Sequence, residues 1–258
     1  MMKIQANTVG QIEYDPNERV FLDRVSLQDA DYSRRELRHF GAFGSRLERC
    51  HFVDAQIDDC SFGEGQAVTE YIDCNFDGLR FHHSIGNVAR FVRCSFRDVD
   101  LRNWSCFEAE FIDCVFTGRM RKCIFNGTVS EEDRSWVGRE RNEFRGNDFS
   151  GMELNDVAFR TGIDLEQQRL PIGPDYLYVP DAPAAIERAR IGLAEWNPGT
   201  GLQRRALILV KVYAEDVESG QRQLLIHLPS HCKGLAKTPH EVVDKVVELF
   251  KGANQRTA

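Results

Sequence analysis

The hexapeptides YIDCNF at 71–76, FVRCSF at 91–96 and FIDCVF at 111–116 repeat one design at intervals of twenty residues. Each begins and ends on an aromatic ring and carries cysteine at its fourth place. A helix returns its apolar residues every 3.6 positions and a strand every two, so neither local period accounts for the pattern. Related copies, LERCHF from 47, IDDCSF from 57 and MRKCIF from 120, lie off that register.

Within the repeat a shorter step is visible. From Leu22, moving five residues at a time meets Leu27, Tyr32, Leu37, Ala42, Leu47, Phe52, Ile57 and Phe62, all apolar. After a slip the step runs through Phe76, Phe81, Gly86, Phe91, Phe96, Leu101, Cys106, Phe111 and Phe116, with Gly86 the exception, and then through Phe125, Phe144, Phe149, Leu154, Phe159 and Leu165. Two residues before each of these, the chain is mostly small: Val20, Val25, Ala30, Ser45, Cys50, Ala55, Cys60, Cys74, Ser84, Ala89, Cys94, Val99, Ala109, Cys114 and Cys123. Arg35 and Trp104 break this second series, and a local distortion of the coil is expected at both.

A large residue with a small one two places before it resembles the pentapeptide-repeat family, as AEFID at 109–113, NDFSG at 147–151 and SLQDADYS at 26–33 show. The resemblance spans 20–165 and implies a mainly β fold, a right-handed quadrilateral parallel β-helix with four pentapeptides per coil. With strands stacked about 4.8 Å apart, six to seven such coils make a rod roughly 30–34 Å long. Such a solenoid buries its apolar face only against neighbouring coils. Phe76, Phe96 and Phe116 are then expected as an internal ladder of rings, with Cys74, Cys94 and Cys114 beside them in narrow slots. Asp73, Arg93 and Asp113, each one residue before a cysteine, are expected to alternate in sign up one outer face.

Two stretches leave the period. GEGQAVTE at 63–70 carries four residues more than the five-residue step allows, since Phe62 and Phe76 are fourteen apart. NGTVSEEDRSWVGRERNE at 126–143 is longer and charged. Loops projecting from a regular scaffold are common binding sites, so Glu131, Glu132, Asp133, Arg134 and Trp136 are the candidate partner-binding residues. Arg139 and Arg141 are further charges available to a partner.

The first nineteen residues are expected to cap one end, and EQQRLPIGPDYLYVPDAP at 166–183 reads as a linker punctuated by proline. The remainder, 184–258, reads as a small α+β unit of αββα order. Its first helix carries Ile186, Ala189, Leu193 and Trp196 on one face. The alternation of Ile208, Val210 and Val212 favours a hairpin between ALILVKVYAEDV and QLLIHLP, with a continuous helix the other reading. A capping box of Thr238, Pro239 and Glu241 opens the last helix. Covering the end of the solenoid is the plain role for this unit.

Composition narrows the function. Of the formal charge of −7, the whole excess lies between Val20 and Leu165, where 26 acidic residues face 19 basic ones. Counterion release requires clustered cations, so direct nucleic-acid binding is not expected and a basic protein partner is. No stretch has the length and polarity of a membrane span or secretory signal, so a cytoplasmic protein with reduced thiols is expected. Eight cysteines are present, but their spacing is that of core filler rather than of paired zinc ligands, and no metal or cofactor is expected. His82 with His83, and Ser230 with His231 and Cys232, are the only local groupings suggestive of catalysis, and neither comes with a recognisable orienting carboxylate. GLAKT at 234–238 lacks the upstream glycine of a phosphate loop. No catalytic residue is assigned. The expected function is a non-catalytic protein-binding scaffold, with self-association left open. Some bacterial members of the family resemble B-form DNA in width and charge and protect gyrase, a type II topoisomerase, from toxins or drugs, so a topoisomerase partner is the more specific alternative that the resemblance implies.

Overall fold

The computed structural model describes residues 11–15, 19–84, 88–232 and 238–252. The expected cap at 1–19, Gly86 and most of GLAKT fall largely or wholly outside them. Contacts divide the chain into two compact units, residues 1–158 with 166–171 and residues 159–165 with 172–258.

The first unit is a parallel β-solenoid. One sheet stacks β2 (Arg19–Asp23), β4 (Glu36–Phe43), β6 (Gln56–Ser61), β8 (Arg80–Ser84), β10 (Ser95–Arg102), β13 (Val115–Asn126) and β15 (Asp148–Arg160). A second stacks β3 (Ser26–Gln28), β5 (Arg46–Glu48), β7 (Thr69–Ile72), β9 (Ala89–Val92), β12 (Glu110–Ile112) and β14 (Phe144–Arg145). The short β11 (Ser105–Cys106) lies along β13, and β1 (Gln11–Asp15) runs antiparallel to β2. In the second sheet Leu27, Leu47, Tyr71, Phe91, Phe111 and Phe144 lie one above the next. That is five steps, about 24 Å of rod. It falls short of the six to seven coils expected, because the insertions divert residues from coiling.

The register shows where they leave. Most steps advance by 20 residues, Leu47 to Tyr71 by 24, and Phe111 to Phe144 by 33. The four extra residues expected at 63–70 account for the first excess, and the 126–143 insertion for the second. One step is a residue short, Leu101 pairing with Met120. Gly118 makes this possible: its φ is 102°, and a Cβ there would sit 2.4 Å from the Val99 carbonyl oxygen.

Inside, Tyr32, Phe52, Phe76, Phe96, Phe116 and Phe149 form a single column of parallel rings, with centroids 5.0, 4.9, 4.6, 4.9 and 4.6 Å apart. The spacing is that of the strands themselves, so backbone pairing and ring stacking are satisfied in one register. Tyr71, Phe91 and Phe111 make a parallel column. Phe40 and Trp104 are aromatic side chains in slots meant for small ones. Phe40 pairs with Val20 on one side and Cys60 on the other. Trp104 has Ser84 opposite and, by the β11 register, Cys123 beyond. Trp104 is fully buried against Phe62, Phe81, Phe91 and Phe111. Its room comes from small neighbours above and below rather than from the distortion expected of the coil.

The small slot has a polar duty as well. Ser45 donates to the carbonyl of Leu22, and the thiols of Cys74, Cys94 and Cys114 lie 3.4, 3.3 and 3.6 Å from the carbonyls of Leu47, Tyr71 and Phe91. Further along, amides take over: Asn147 donates to Phe111 at 2.8 Å and Gln168 to Phe144 at 2.9 Å. All are buried. Each such donor meets a buried backbone acceptor that would otherwise carry a desolvation cost of about 1–3 kcal/mol.

The residues before the cysteines, and Asp29 before Ala30 in the same column, do more than alternate in charge. Asp29, Arg49, Asp73, Arg93 and Asp113 all adopt φ between 51° and 55°, the left-handed region. They are the corners at which each coil turns, and a non-glycine corner costs about 1–2 kcal/mol. Bidentate pairs cross consecutive corners, Arg49 to Asp29 and Arg93 to Asp73, both with contacts of 2.8 Å. Being exposed to solvent screening, these pairs offset little of that cost.

The second unit departs from the αββα expectation. Its order is β16 (Tyr176–Val179), α2 (Ala182–Glu195), α3 (Gly201–Glu218), β17 (Leu224–His227), α4 (Leu228–Cys232) and α5 (His240–Lys251), with α1 given below. ALILVKVYAEDV is helical, so the alternation of β-branched residues misled. Ala206, Val210 and Ala214, four apart, are the buried stripe, and Thr200 caps the helix by accepting from the Gln203 amide. QLLIHLP therefore pairs with YLYV, inside the stretch read as a linker, with Val179 opposite Leu224 and Leu177 opposite Ile226. Ile186, Ala189 and Leu193 of α2 are buried as expected, and Trp196 is half-buried just after it. The capping box does not form: α5 starts after Pro239 with no side-chain cap. Residues 159–165, assigned by the five-residue step to the solenoid, belong to this unit, held by the fully buried Gln221, which accepts from the Gly162 and Ile163 amides and donates to the Ile163 carbonyl.

Replacing Phe96 by alanine removes one rung of the stack and should cost about 3–5 kcal/mol, while Asp73→Asn, which keeps a residue tolerant of the left-handed corner, should cost under about 1 kcal/mol. Equal losses in urea denaturation would reverse the assignment of inside and outside. All eight cysteines are free and seven are buried. Thiol titration should find eight groups after unfolding without reductant, with Cys232 alone reacting readily in the native protein.

A folded insertion as candidate functional site

The 126–143 insertion has its own structure. Val129 and Glu140 bond through their backbones, and Thr128 bridges Arg141 antiparallel, so the excursion leaves and returns as two paired arms. Between them lies α1 (Glu131–Val137). Ser130 caps it by accepting from the Asp133 amide, the acidic Glu131, Glu132 and Asp133 occupy the first turn where the helix dipole favours them, and Gly138 at φ 76° ends it.

The base is fastened to the solenoid by groups the five-residue step did not reveal. Asn142 donates to the carbonyls of Phe107 and Asn126 at 2.7 and 2.8 Å. Arg139 donates to the Glu108 carbonyl and to Asn142, and lies 3.5 Å from the Glu110 carboxylate. Glu110 is buried; it accepts from the Glu143 amide at 3.0 Å and pairs with Arg90 at 3.2 Å, while Arg90 also reaches Glu143 at 2.8 Å. The only hint in the sequence was the pair of acids flanking the small Ala109; the cation that faces them is some thirty positions away.

Each candidate residue can now be placed. Glu131 and Glu132 are exposed. Asp133 is half-buried and accepts from the Trp136 indole at 3.1 Å, which orients that ring. Arg134 donates inward to the Val129 carbonyl. Arg139, read as available to a partner, is instead committed to the solenoid. Phe107, unremarked in the sequence, is 39% exposed beside the anchor.

Burial pushes the Glu108 carboxyl up to about 7 from 4.5, the Asp133 carboxylate adds to the shift, and Arg139 opposes it. Burial also lowers the Arg139 guanidinium from its ordinary value. A raised folded-state pKa means that the Glu108 contribution to stability is complete below about 4.5 and is lost as pH rises through about 7. Glu108→Gln should therefore unfold at a higher temperature than the parent at pH 8, with the difference shrinking toward pH 5. A difference independent of pH would reject the titration.

The other groupings do not converge on a catalytic arrangement. Ser230 pairs with His227 at 2.6 Å, His231 with the Tyr213 hydroxyl at 2.5 Å, and Cys232 with His240 at 3.5 Å, so the three side chains take three separate partners. His82 and His83 are exposed on β8. Among the described residues no three His, Cys, Asp or Glu side chains gather as metal ligands, and no helix is long and apolar enough to cross a membrane. Phe76, Phe96 and Phe116 and Cys74, Cys94 and Cys114 lie in the interior, where they pack rather than present a site.

The class defined by this geometry is a parallel β-solenoid, mainly β, with helices in its C-terminal part. Comparison with known proteins adds distant likenesses. No model of a known protein family matches the chain, and no curated protein does. Among solved structures it is similar to full-length QnrB1, a plasmid-mediated fluoroquinolone resistance protein, at 17% identity and TM-score 0.28, over 56% of this chain and 81% of that one. A trypsin-treated variant of QnrB1 matches at 14% identity and TM-score 0.21, over 56% of this chain and 79% of that one. At such scores we draw nothing from the likeness beyond the repeat already visible in the fold.

Proposed function

We propose that the chain is a non-catalytic protein-docking module in which the solenoid holds the 126–143 insertion toward a partner. The observation that carries this reading is the anchoring of the insertion. A capped helix with an acidic first turn is held on two paired arms by the buried Glu110 and by Arg139 and Asn142, so little ordering cost remains to be met on binding. Next to its acidic turn stand a partly exposed Trp136 and, at the base, the exposed Phe107. Aromatic groups beside charges of one sign are the composition of binding hot spots, and the acidic turn selects a partner surface carrying Lys or Arg.

The resemblance of the repeat motif makes a type II topoisomerase such as gyrase the first partner to try. Capture with the intact protein, compared with a Glu131→Gln/Glu132→Gln variant and a Trp136→Ala variant, tests the docking reading. Both variants should keep the thermal midpoint and lose at least about tenfold in affinity for the captured partner. Undiminished binding by both would exclude the insertion as the docking surface. In a supercoiling assay the protein should relieve a cleavage-stabilising poison if gyrase is that partner; absence of binding and relief would leave the docking reading with another protein.

A further inference from the structure

Along the solenoid arginines face carboxylates one level away, as Arg49 faces Asp29, Arg93 faces Asp73 and Arg90 faces Glu110. The first levels depart from this. Arg19 on β2 lies opposite His39 on β4, and His39 lies opposite Asp59 on β6. Arg38, next to His39, is exposed, since Leu37 and Phe40 are the buried residues on either side of the pair. The carboxylates of this region turn to His39 instead of to the arginines: Asp59 lies 3.1 Å from Nδ1 and Glu64 3.6 Å from Nε2. Among the described residues, Arg19 and Arg38 are left without a carboxylate partner. Glu64 comes from the insertion at 63–70, whose start is seated on β4 by a 2.7 Å bond from the Glu64 amide to the Ala42 carbonyl. Gly41 leaves the room for it, because a Cβ there would lie 2.8 Å from Glu64 Oε1 and 2.9 Å from His39 Nε2.

Arg19, Arg38, His39 and Asp59 line a cavity of about 330 Å³, within the range of about 300–1,000 Å³ typical of small-molecule sites. Two open guanidiniums on neighbouring strands suit an oxyanion, since each fork can donate two parallel hydrogen bonds and stays charged. A bare ion would leave most of this volume empty. The cavity also carries an acceptor, the Asp59 carboxylate, which suits a hydroxyl donor. None of the four lining residues offers the broad aromatic face on which a nucleobase stacks. We propose that this cavity binds the phosphate monoester of a small polyol, of the sugar-phosphate class, with the phosphate on Arg19 and Arg38 and a hydroxyl on Asp59. The site is independent of the docking role of the 126–143 insertion and gives the first insertion a purpose: Glu64 helps to hold His39, and the two arginines stay open.

Titration calorimetry on the full chain in about 0.15 M salt tests it, with glucose 6-phosphate, ribose 5-phosphate and glycerol 3-phosphate as probes and with inorganic phosphate and glucose for comparison. At least one of the esters should bind one to one with a Kd at or below about 1 mM, at least about tenfold tighter than inorganic phosphate, and glucose should not bind. Arg19→Gln and Arg38→Gln should each weaken that ester at least about fivefold while keeping the thermal midpoint of the unliganded protein. Arg80→Gln, which removes an exposed arginine outside the cavity, should change nothing. Asp59→Ala should narrow the gap between the ester and inorganic phosphate. No binding of any ester at about 10 mM, equal affinity for inorganic phosphate, an Asp59→Ala variant as selective as the parent, or a loss in Arg80→Gln equal to that in the cavity variants would each overturn the proposal.

Discussion

Parallel stacking of the inward rings governs the solenoid, because a ring column and a backbone ladder share one spacing only when each coil returns to the same angular position. From Tyr32 to Phe149 the rings remain within 5.0 Å of their neighbours although the intervening chain varies in length. Extra residues therefore cannot be absorbed within a coil. They must leave between levels and come back on register, which is why 126–143 forms two paired arms rather than a loose strand.

A second constraint follows from burying so much backbone. The slot beside each ring takes a large side chain only where the neighbours above and below it are small, and it faces a carbonyl from the level below. Cysteine fits this slot: small, apolar enough to bury and able to offer a weak donor. At the last levels of the column, Asn147 and Gln168 replace it with stronger donors. Burial pushes the Cys60 and Cys106 thiols well above their ordinary value and Cys123 to about 11, consistent with fillers rather than nucleophiles.

The surface features follow from that rigid interior. Corners in the left-handed region carry Asp and Arg alternately, so that outer face is a ladder of ion pairs and offers no continuous run of one sign. A compact run of negative charge stands instead where the fold breaks its own rule, on the first turn of α1. The proposed docking surface is thus a local exception on a regular body, and the buried Glu110 with Arg139 holds that exception in place.

The sequence alone carried the solenoid, through a five-residue step and a twenty-residue repeat whose resemblance to pentapeptide repeats implies a coil, and it located both insertions from the spacing of Phe62, Phe76, Phe125 and Phe144. It also placed the ring and thiol columns, because repetition multiplies a weak local signal. What only the tertiary structure decided lies where there is no repetition. Ile208, Val210 and Val212 alternate like a strand, but Ala206, Val210 and Ala214 pack as a helix, since a stripe of small residues shows its worth only against a neighbouring element. YLYV was masked by flanking prolines until its partner LLIH, more than forty residues later, was known. The left-handed corners and the Arg139 anchor were invisible for the same physical reason: a backbone angle and a buried ion pair are properties of what surrounds a residue, not of the residue.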